Sequence, residues 1–240
     1  MGKLARSQFR FRYHPKSIYR LLIAVARWTV PLLFALTILF GVHKIVKADP
    51  GPTPTELQQY LQNNELNPSI QPVSGYDQVV YTYNNQVIQL TNDSYNHSHV
   101  VASGQYVSWE GSINGITQIF LENVVTGAIV QLTSLGTNET PFIHSNTLVW
   151  EHYDATGSYL MFYDGSQIRQ ITDGSYGTNY ASLNAQNIIY AEQVSANDWK
   201  AQEYDIASGQ TTTIREGDTT STAYPRFNSD GSVSTDFVPY

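Results

Sequence analysis

Four acidic residues recur at nearly regular intervals in the C-terminal two-thirds of this 240-residue chain. Glu110, Glu151, Glu192 and Asp236 are spaced by 41, 41 and 44 residues, and an aliphatic residue stands three positions before each of them. Carboxylate oxygens are the ligands that Ca²⁺ and other hard cations take, so four acids around one axis are candidate metal ligands. The alternative is that each acid accepts hydrogen bonds from the neighbouring unit and holds the units in register.

Three further side chains are candidates for a ligand-binding surface. Trp199 follows Asn197 and Asp198 in a predicted turn, where an exposed indole could stack on a sugar ring. His97 and His99 stand two residues apart, but a zinc site needs three or four converging ligands, and nothing in the sequence brings His144 or His152 to them. Trp109 and Trp150 occupy matching strand positions and are predicted to pack between sheets.

The sequence contains no recognisable catalytic motif. Gly-x-Ser-x-Gly and Gly-rich phosphate loops are both absent, and we predict no enzyme activity, no catalytic residues and no cofactor. Two alternatives stay open. One is a glycosidase-like hydrolase that uses channel carboxylates, and the other is a purely structural envelope protein.

The residues that could do chemistry belong to a repeat. VVYTYNNQVIQLT (79–91) aligns without a gap with LMFYDGSQIRQIT (160–172), and related segments recur about every forty residues. Short strands and turn residues at such a period predict a β-propeller. The first unit matches only the two outer strands of a blade and the last only the two inner strands. We therefore predict an all-β fold, a four-bladed propeller whose closing blade is split between the two ends of residues 76–240.

The repeat also resembles a known family. The succession Val-x-Trp-Glu, Gly, Ile-Phe or Met-Phe, Tyr-Asp, Thr-Gly, Gln-Leu-Thr and Asn-x-x-Pro resembles the TolB-like propeller repeats of exported bacterial and archaeal proteins. The match is clearest from Tyr106 to Thr172 and extends over residues 79–240. The resemblance implies a binding, scaffolding or cell-envelope role and supplies no catalytic residues.

Charge is divided unevenly along the chain. Residues 1–48 contain nine basic residues and no acid, whereas four basic residues and twenty acids follow, a formal charge of −16. Nucleic acid is therefore not an expected partner, because affinity for phosphate needs clustered Lys and Arg. A protein or glycan partner is expected instead.

The N-terminal third predicts attachment to a membrane. Residues 28–42 are uncharged, and residues 21–46 are long enough to span a bilayer behind the basic tail of residues 1–20. The positive-inside bias places the N-terminus in the cytoplasm and the repeats outside. Cleavage of a signal peptide after Ala48 is the alternative, and it would also export the repeats.

A linker with one short helix is predicted over residues 49–75. Thr53, Pro54 and Glu56 form a capping-box pattern, and Leu57, Tyr60 and Leu61 lie on one helical face. We expect this helix to act as a plug or brace on the propeller, or else as a partner-binding helix.

Overall fold

The computed structural model describes residues 51–174, 177–195, 198–216 and 221–239. The predicted tail, the predicted membrane-spanning segment and the cleavage position after Ala48 lie outside these ranges. Within them, no helix has the length and apolar character needed to cross a bilayer.

In the part of the chain that the structure describes, seventeen antiparallel strands form five sheets, and one helix precedes them. The helix is α1 (Pro54–Leu61). The strands of sheet 1 are β1 (Pro68–Val73), β2 (Tyr76–Tyr83) and β3 (Gln86–Gln89). The strands of sheet 2 are β4 (His97–Ser103), β5 (Tyr106–Ile113), β6 (Ile116–Asn123) and β7 (Ala128–Gln131). The strands of sheet 3 are β8 (Thr137–His144), β9 (Thr147–Asp154), β10 (Gly157–Tyr163) and β11 (Ile168–Gln170). The strands of sheet 4 are β12 (Thr178–Leu183), β13 (Asn187–Ser195), β14 (Asp198–Asp205) and β15 (Thr211–Glu216). The strands of sheet 5 are β16 (Ser221–Phe227) and β17 (Val233–Pro239). This succession of sheets confirms the all-β prediction.

A hydrogen-bonded motif follows the last strand of each of the first three sheets. In each Gln-x-Thr segment the threonine hydroxyl accepts a backbone N–H from the neighbouring strand, at 2.9 to 3.0 Å. The glutamine side chain donates to the carbonyl of the same threonine at 2.6 to 2.7 Å. The threonines are Thr91, Thr133 and Thr172. This explains why the sequence repeats these residues, since a buried N–H without a partner is costly.

The core lies between neighbouring sheets. Trp109 is fully buried in a cluster that includes Val79 of sheet 1, and its ring stacks on Phe120 at 5.8 Å. Trp150 is buried in a second cluster with Ile119 of sheet 2. The predicted packing of both tryptophans between sheets is confirmed.

Helix α1 packs against the cluster between sheets 1 and 2. The predicted capping box is present, because the Thr53 side chain accepts from the Glu56 N–H and the Glu56 carboxylate accepts from the Thr53 N–H at 2.7 Å. Leu57 is buried in the cluster, and the Tyr60 ring lies 5.0 Å from that of Tyr83 on β2. The helix is therefore a brace between two sheets.

The predicted split closing blade is not formed. Strand β2 pairs with β1 on one edge and β3 on the other, so neither edge is left for the C-terminal hairpin. β16 and β17 instead form a separate two-stranded sheet, whose neighbours are the strands of sheet 4. Sheet 1 also begins at Pro68, before the start at residue 76 that the repeats indicated. The strand was missed because its prolines, Pro68 and Pro72, are typical of a linker and are accepted in a strand only at an edge.

Candidate functional site

The first strands of sheets 2, 3 and 4 contain the same irregularity. β4, β8 and β12 each have a β-bulge, and within it His99, Thr140 and Tyr180 adopt φ values of 43°, 54° and 58°. Positive φ is uncommon for residues other than glycine. Its recurrence at equivalent positions shows that the bulge is a regular part of the repeat. These strands contact one another between sheets, β4 with β8 and β8 with β12.

Glu110 connects sheet 2 to sheet 3 through the second of these bulges. One carboxylate oxygen accepts the backbone N–H of Thr140 at 2.7 Å. The other accepts the hydroxyl of Ser98, on its own sheet, at 2.7 Å. His99 Nδ1 lies 3.3 Å from the same carboxylate, whose residue is only 4% exposed.

Glu151 repeats the arrangement one sheet further on. Its carboxylate accepts the backbone N–H of Tyr180 on sheet 4 and the hydroxyls of Thr140 and Tyr153. Burial raises the pKa of Glu151 above its ordinary value, and the neighbouring Glu139 carboxylate raises it further. We refer to His99, Thr140 and Tyr180, with Glu110 and Glu151, as the inner rim.

The other two predicted acids are not equivalent to these. In the residue pairs that precede the bulges, Ser98 lies opposite Glu110, Glu139 opposite Glu151, and Asn179 opposite Ala191. Ala191 therefore occupies the position expected for Glu192, which lies one residue on, opposite Thr178. The Glu192 carboxylate accepts from Gln202 Nε2 within its own sheet, at 2.8 Å.

Asp236 lies on sheet 5 and forms an exposed ion pair with Arg226. Nowhere in the described ranges do three or more His, Asp or Glu side chains group so that they could hold a metal ion. Glu110 and Glu151 thus have the hydrogen-bonding role that the sequence offered as the alternative to a cation site.

Two of the three predicted surface residues are buried. His97 is 3% exposed, with its Nε2 3.2 Å from Asp93 Oδ2 and its ring edge-on to Trp109. Trp199 is the second residue of strand β14, where the sequence predicted a turn, and it is 9% exposed. His99 remains a surface residue, with 62% of its side chain exposed.

The sequence did not predict that Tyr180 of the inner rim, which is exposed, forms a pair with the partly buried Tyr224. The ring centroids of Tyr180 on β12 and Tyr224 on β16 are 3.7 Å apart. The hydrogen bond to Tyr224 raises the pKa of Tyr180 to about 12. A signal was available, because the aligned segments YASLNAQ and YPRFNSDG both begin with tyrosine.

No model of a protein family matches this chain, and no curated relative does. Similar solved structures include a putative TolB from Agrobacterium tumefaciens, at 16% identity and a TM-score of 0.49 over 73% of this chain and 71% of that one. An acylaminoacyl peptidase from Pyrococcus horikoshii aligns at 12% identity and a TM-score of 0.51, over 72% of this chain and 30% of that one. The β-propeller domain of the trilobed protease from Pyrococcus furiosus aligns at 9% identity and 0.48, over 62% and 50%.

These comparisons concern the fold alone. The solved structures that this chain is similar to include TolB proteins, whose repeats the sequence resembles. Peptidases stand beside TolB among the similar structures, so the likeness assigns no activity.

Proposed function

We propose that this chain is a propeller module that binds a protein or glycan partner on the outer side of a membrane and catalyses no reaction. The observation that carries the proposal is the use of the inner-rim carboxylates. Both oxygens of Glu110 and the carboxylate of Glu151 are engaged by backbone and hydroxyl donors of neighbouring strands. A general acid or base must reach a hydrogen-bond partner on its substrate, and these carboxylates are already occupied by donors of the protein itself.

The proposed location is supported by the sequence of the N-terminal segment. An uncharged run over residues 28–42 follows seven basic residues, and only Lys44 and Lys47 come soon after it. This asymmetry favours a cytoplasmic N-terminus and an exported propeller. The proposal therefore includes attachment of the chain to the membrane through residues 21–46.

The natural absence of cysteine makes the location directly testable. Ser229 lies exposed in the loop between β16 and β17, and Ser7 lies in the basic tail. A membrane-impermeant maleimide applied to intact cells should label Ser229→Cys and leave Ser7→Cys unlabelled until the cells are lysed. Labelling of Ser7→Cys alone in intact cells would contradict the proposed orientation.

A hydrolase is the second candidate, and one observation favours it. Glu151 lies opposite Glu139 in the β8–β9 register, and burial keeps its pKa high, which is a property of general acids in glycosidases. Glu139→Gln separates the two functions. A folded variant that loses turnover of an oligosaccharide cleaved by the unaltered full chain would establish the hydrolase, whereas the binding proposal expects no turnover from either protein.

A further inference from the structure

Aromatic surface is exposed where the inner rim approaches sheet 5. Tyr180 is 45% exposed although its ring lies against Tyr224, and Phe142 on the neighbouring strand β8 is 41% exposed. Aromatic side chains supply much of the contact area of protein cores and interfaces. Their exposure on adjacent strands therefore indicates a surface that another molecule covers.

The backbone of Tyr180 is fixed before any partner arrives. Its φ of 58° is held by the bulge in β12, and its N–H donates to the buried Glu151 carboxylate. The ring is fixed in turn by its contact with Tyr224. A side chain that is already ordered loses little conformational entropy when it binds.

An acidic residue lies one side chain away from Tyr180. Glu139 is partly exposed and lies opposite Glu151 in the β8–β9 register, and the Glu151 carboxyl group accepts the backbone N–H of Tyr180. The four basic residues that follow Asp49 already have internal contacts. Arg169 lies over the Phe162 ring, Lys200 pairs with Glu216, Arg215 donates to the Thr235 carbonyl and Arg226 pairs with Asp236.

We propose that Tyr180, Tyr224 and Glu139 form a docking surface for a cationic peptide segment, with an Arg or Lys side chain over the exposed face of Tyr180. Aromatic faces attract such cations, and Glu139, which lies opposite the residue that bonds to the Tyr180 N–H, attracts the same charge. The formal charge of −16 after residue 48 attracts a basic segment from a distance. A neutral glycan could use the rings but would gain nothing from this charge, which is why a peptide is favoured.

This inference rests on the proposal that the chain is a binding module, and it specifies the chemistry of the partner. The maleimide experiment does not involve Tyr180. A cytoplasmic position for Ser229 would overturn the proposed location and leave the docking surface standing. Failure of a cationic peptide to bind a correctly oriented chain would overturn the docking surface alone.

The test uses the full chain in zwitterionic nanodiscs and a fluorescent peptide of four Arg-Gly units, with the Gln-Gly and Glu-Gly peptides as controls. We expect the Arg-Gly peptide to bind, and its affinity to fall as salt screens the charges. Tyr180→Asn removes the ring and keeps a residue that accepts positive φ. It should weaken binding about two- to fivefold, the effect of one exposed cation–π contact, while Tyr180→Phe should bind like the unaltered chain.

Controls elsewhere on the molecule separate this surface from general charge attraction. Tyr76→Asn replaces another exposed tyrosine, on β2 in sheet 1, and should leave binding unchanged. Glu139→Gln should weaken binding, whereas Glu203→Gln on β14 should not, and this pair tests the proposal independently if Tyr180→Asn fails to fold. Equal binding by Tyr180→Asn and the unaltered chain would overturn the proposal, as would binding of chitotetraose in place of the Arg-Gly peptide.

Discussion

The carboxyl group of Glu151 is buried at the junction of sheets 3 and 4, where its charge is poorly solvated. Backbone and hydroxyl donors surround it and favour the ionised form, but burial and the Glu139 carboxylate have the larger effect and raise its pKa. The group accordingly binds a proton more tightly in the folded protein than in the unfolded chain, where its pKa is near 4.5.

This raised pKa predicts a pH dependence of stability. The stabilising contribution of protonated Glu151 is fully present below about pH 4.5 and is lost as the pH rises through the higher pKa of the folded state. Glu151→Gln keeps an uncharged acceptor at every pH. The free energy of unfolding of this variant, relative to the unaltered protein, should therefore increase between pH 4 and pH 7 in urea titrations. A difference that stays constant over this range would show that burial does not govern Glu151.

The sequence predicted which acids repeat, but it did not predict which of them lie in the register of the inner rim. The sequence spacing from Glu151 to Glu192 is 41 residues, while the spacing between the bulge residues Thr140 and Tyr180 is 40. Side chains alternate between the two faces of a strand, so a difference of one residue moves the acid to the opposite face. Glu110 and Glu151 were predictable from the pattern. The register of Glu192 was not, because a bulge leaves no clear mark in a single sequence.

Helix α1 is the element whose role could be predicted most completely. Its capping residues and apolar face are encoded within a dozen residues, so local rules suffice. The strand that follows was missed because local rules do not suffice for it. β1 carries Pro68 and Pro72, and only its pairing with β2 makes it a strand.

Removing the buried side chain of the helix should loosen its attachment. Leu57 is 1% exposed between sheets 1 and 2, and Leu57→Ala should lower the free energy of unfolding by about 2–5 kcal/mol, through lost burial and the cavity left behind. Gln58→Ala, at the next position on the exposed face, is the matched control and should change it by less than about 0.5 kcal/mol. Equal effects in chemical denaturation would show that α1 does not brace the sheets.

Sheet 5 is not joined to sheet 4 by an inner-rim carboxylate, whereas sheets 2 and 3 are each joined to the next sheet in that way. Ala191 replaces the inner-rim acid on sheet 4, so no carboxylate at that position reaches the neighbouring strand β16. Sheet 5 also has two strands where sheets 2 to 4 have four. We predict that backbone amides of β16 and β17 exchange with deuterium faster than those of β8 and β9. Equal protection would show that sheet 5 is held as firmly as the sheets before it.

For the whole molecule, a period of about forty residues was enough to predict a propeller, because each unit repeats the same strands and turns. Closure of the ring was not predictable in this way. It depends on which strand occupies each edge of β2, and that choice is made by β1, outside the repeats. The likeness to solved propellers likewise extends to the fold and leaves the partner to be identified by experiment.

The inner-rim acids Glu110 and Glu151 hold neighbouring sheets together, and the proposed binding function rests on this role. The most direct measurement is urea unfolding of Glu110→Ala beside Asp236→Ala, whose acid forms an exposed ion pair with Arg226. The Thr140 N–H and the Ser98 hydroxyl lose their acceptor in the first variant, so its free energy of unfolding should fall by about 1–3 kcal/mol. Asp236→Ala should change it little. A Glu110→Ala protein as stable as the unaltered chain would contradict the account.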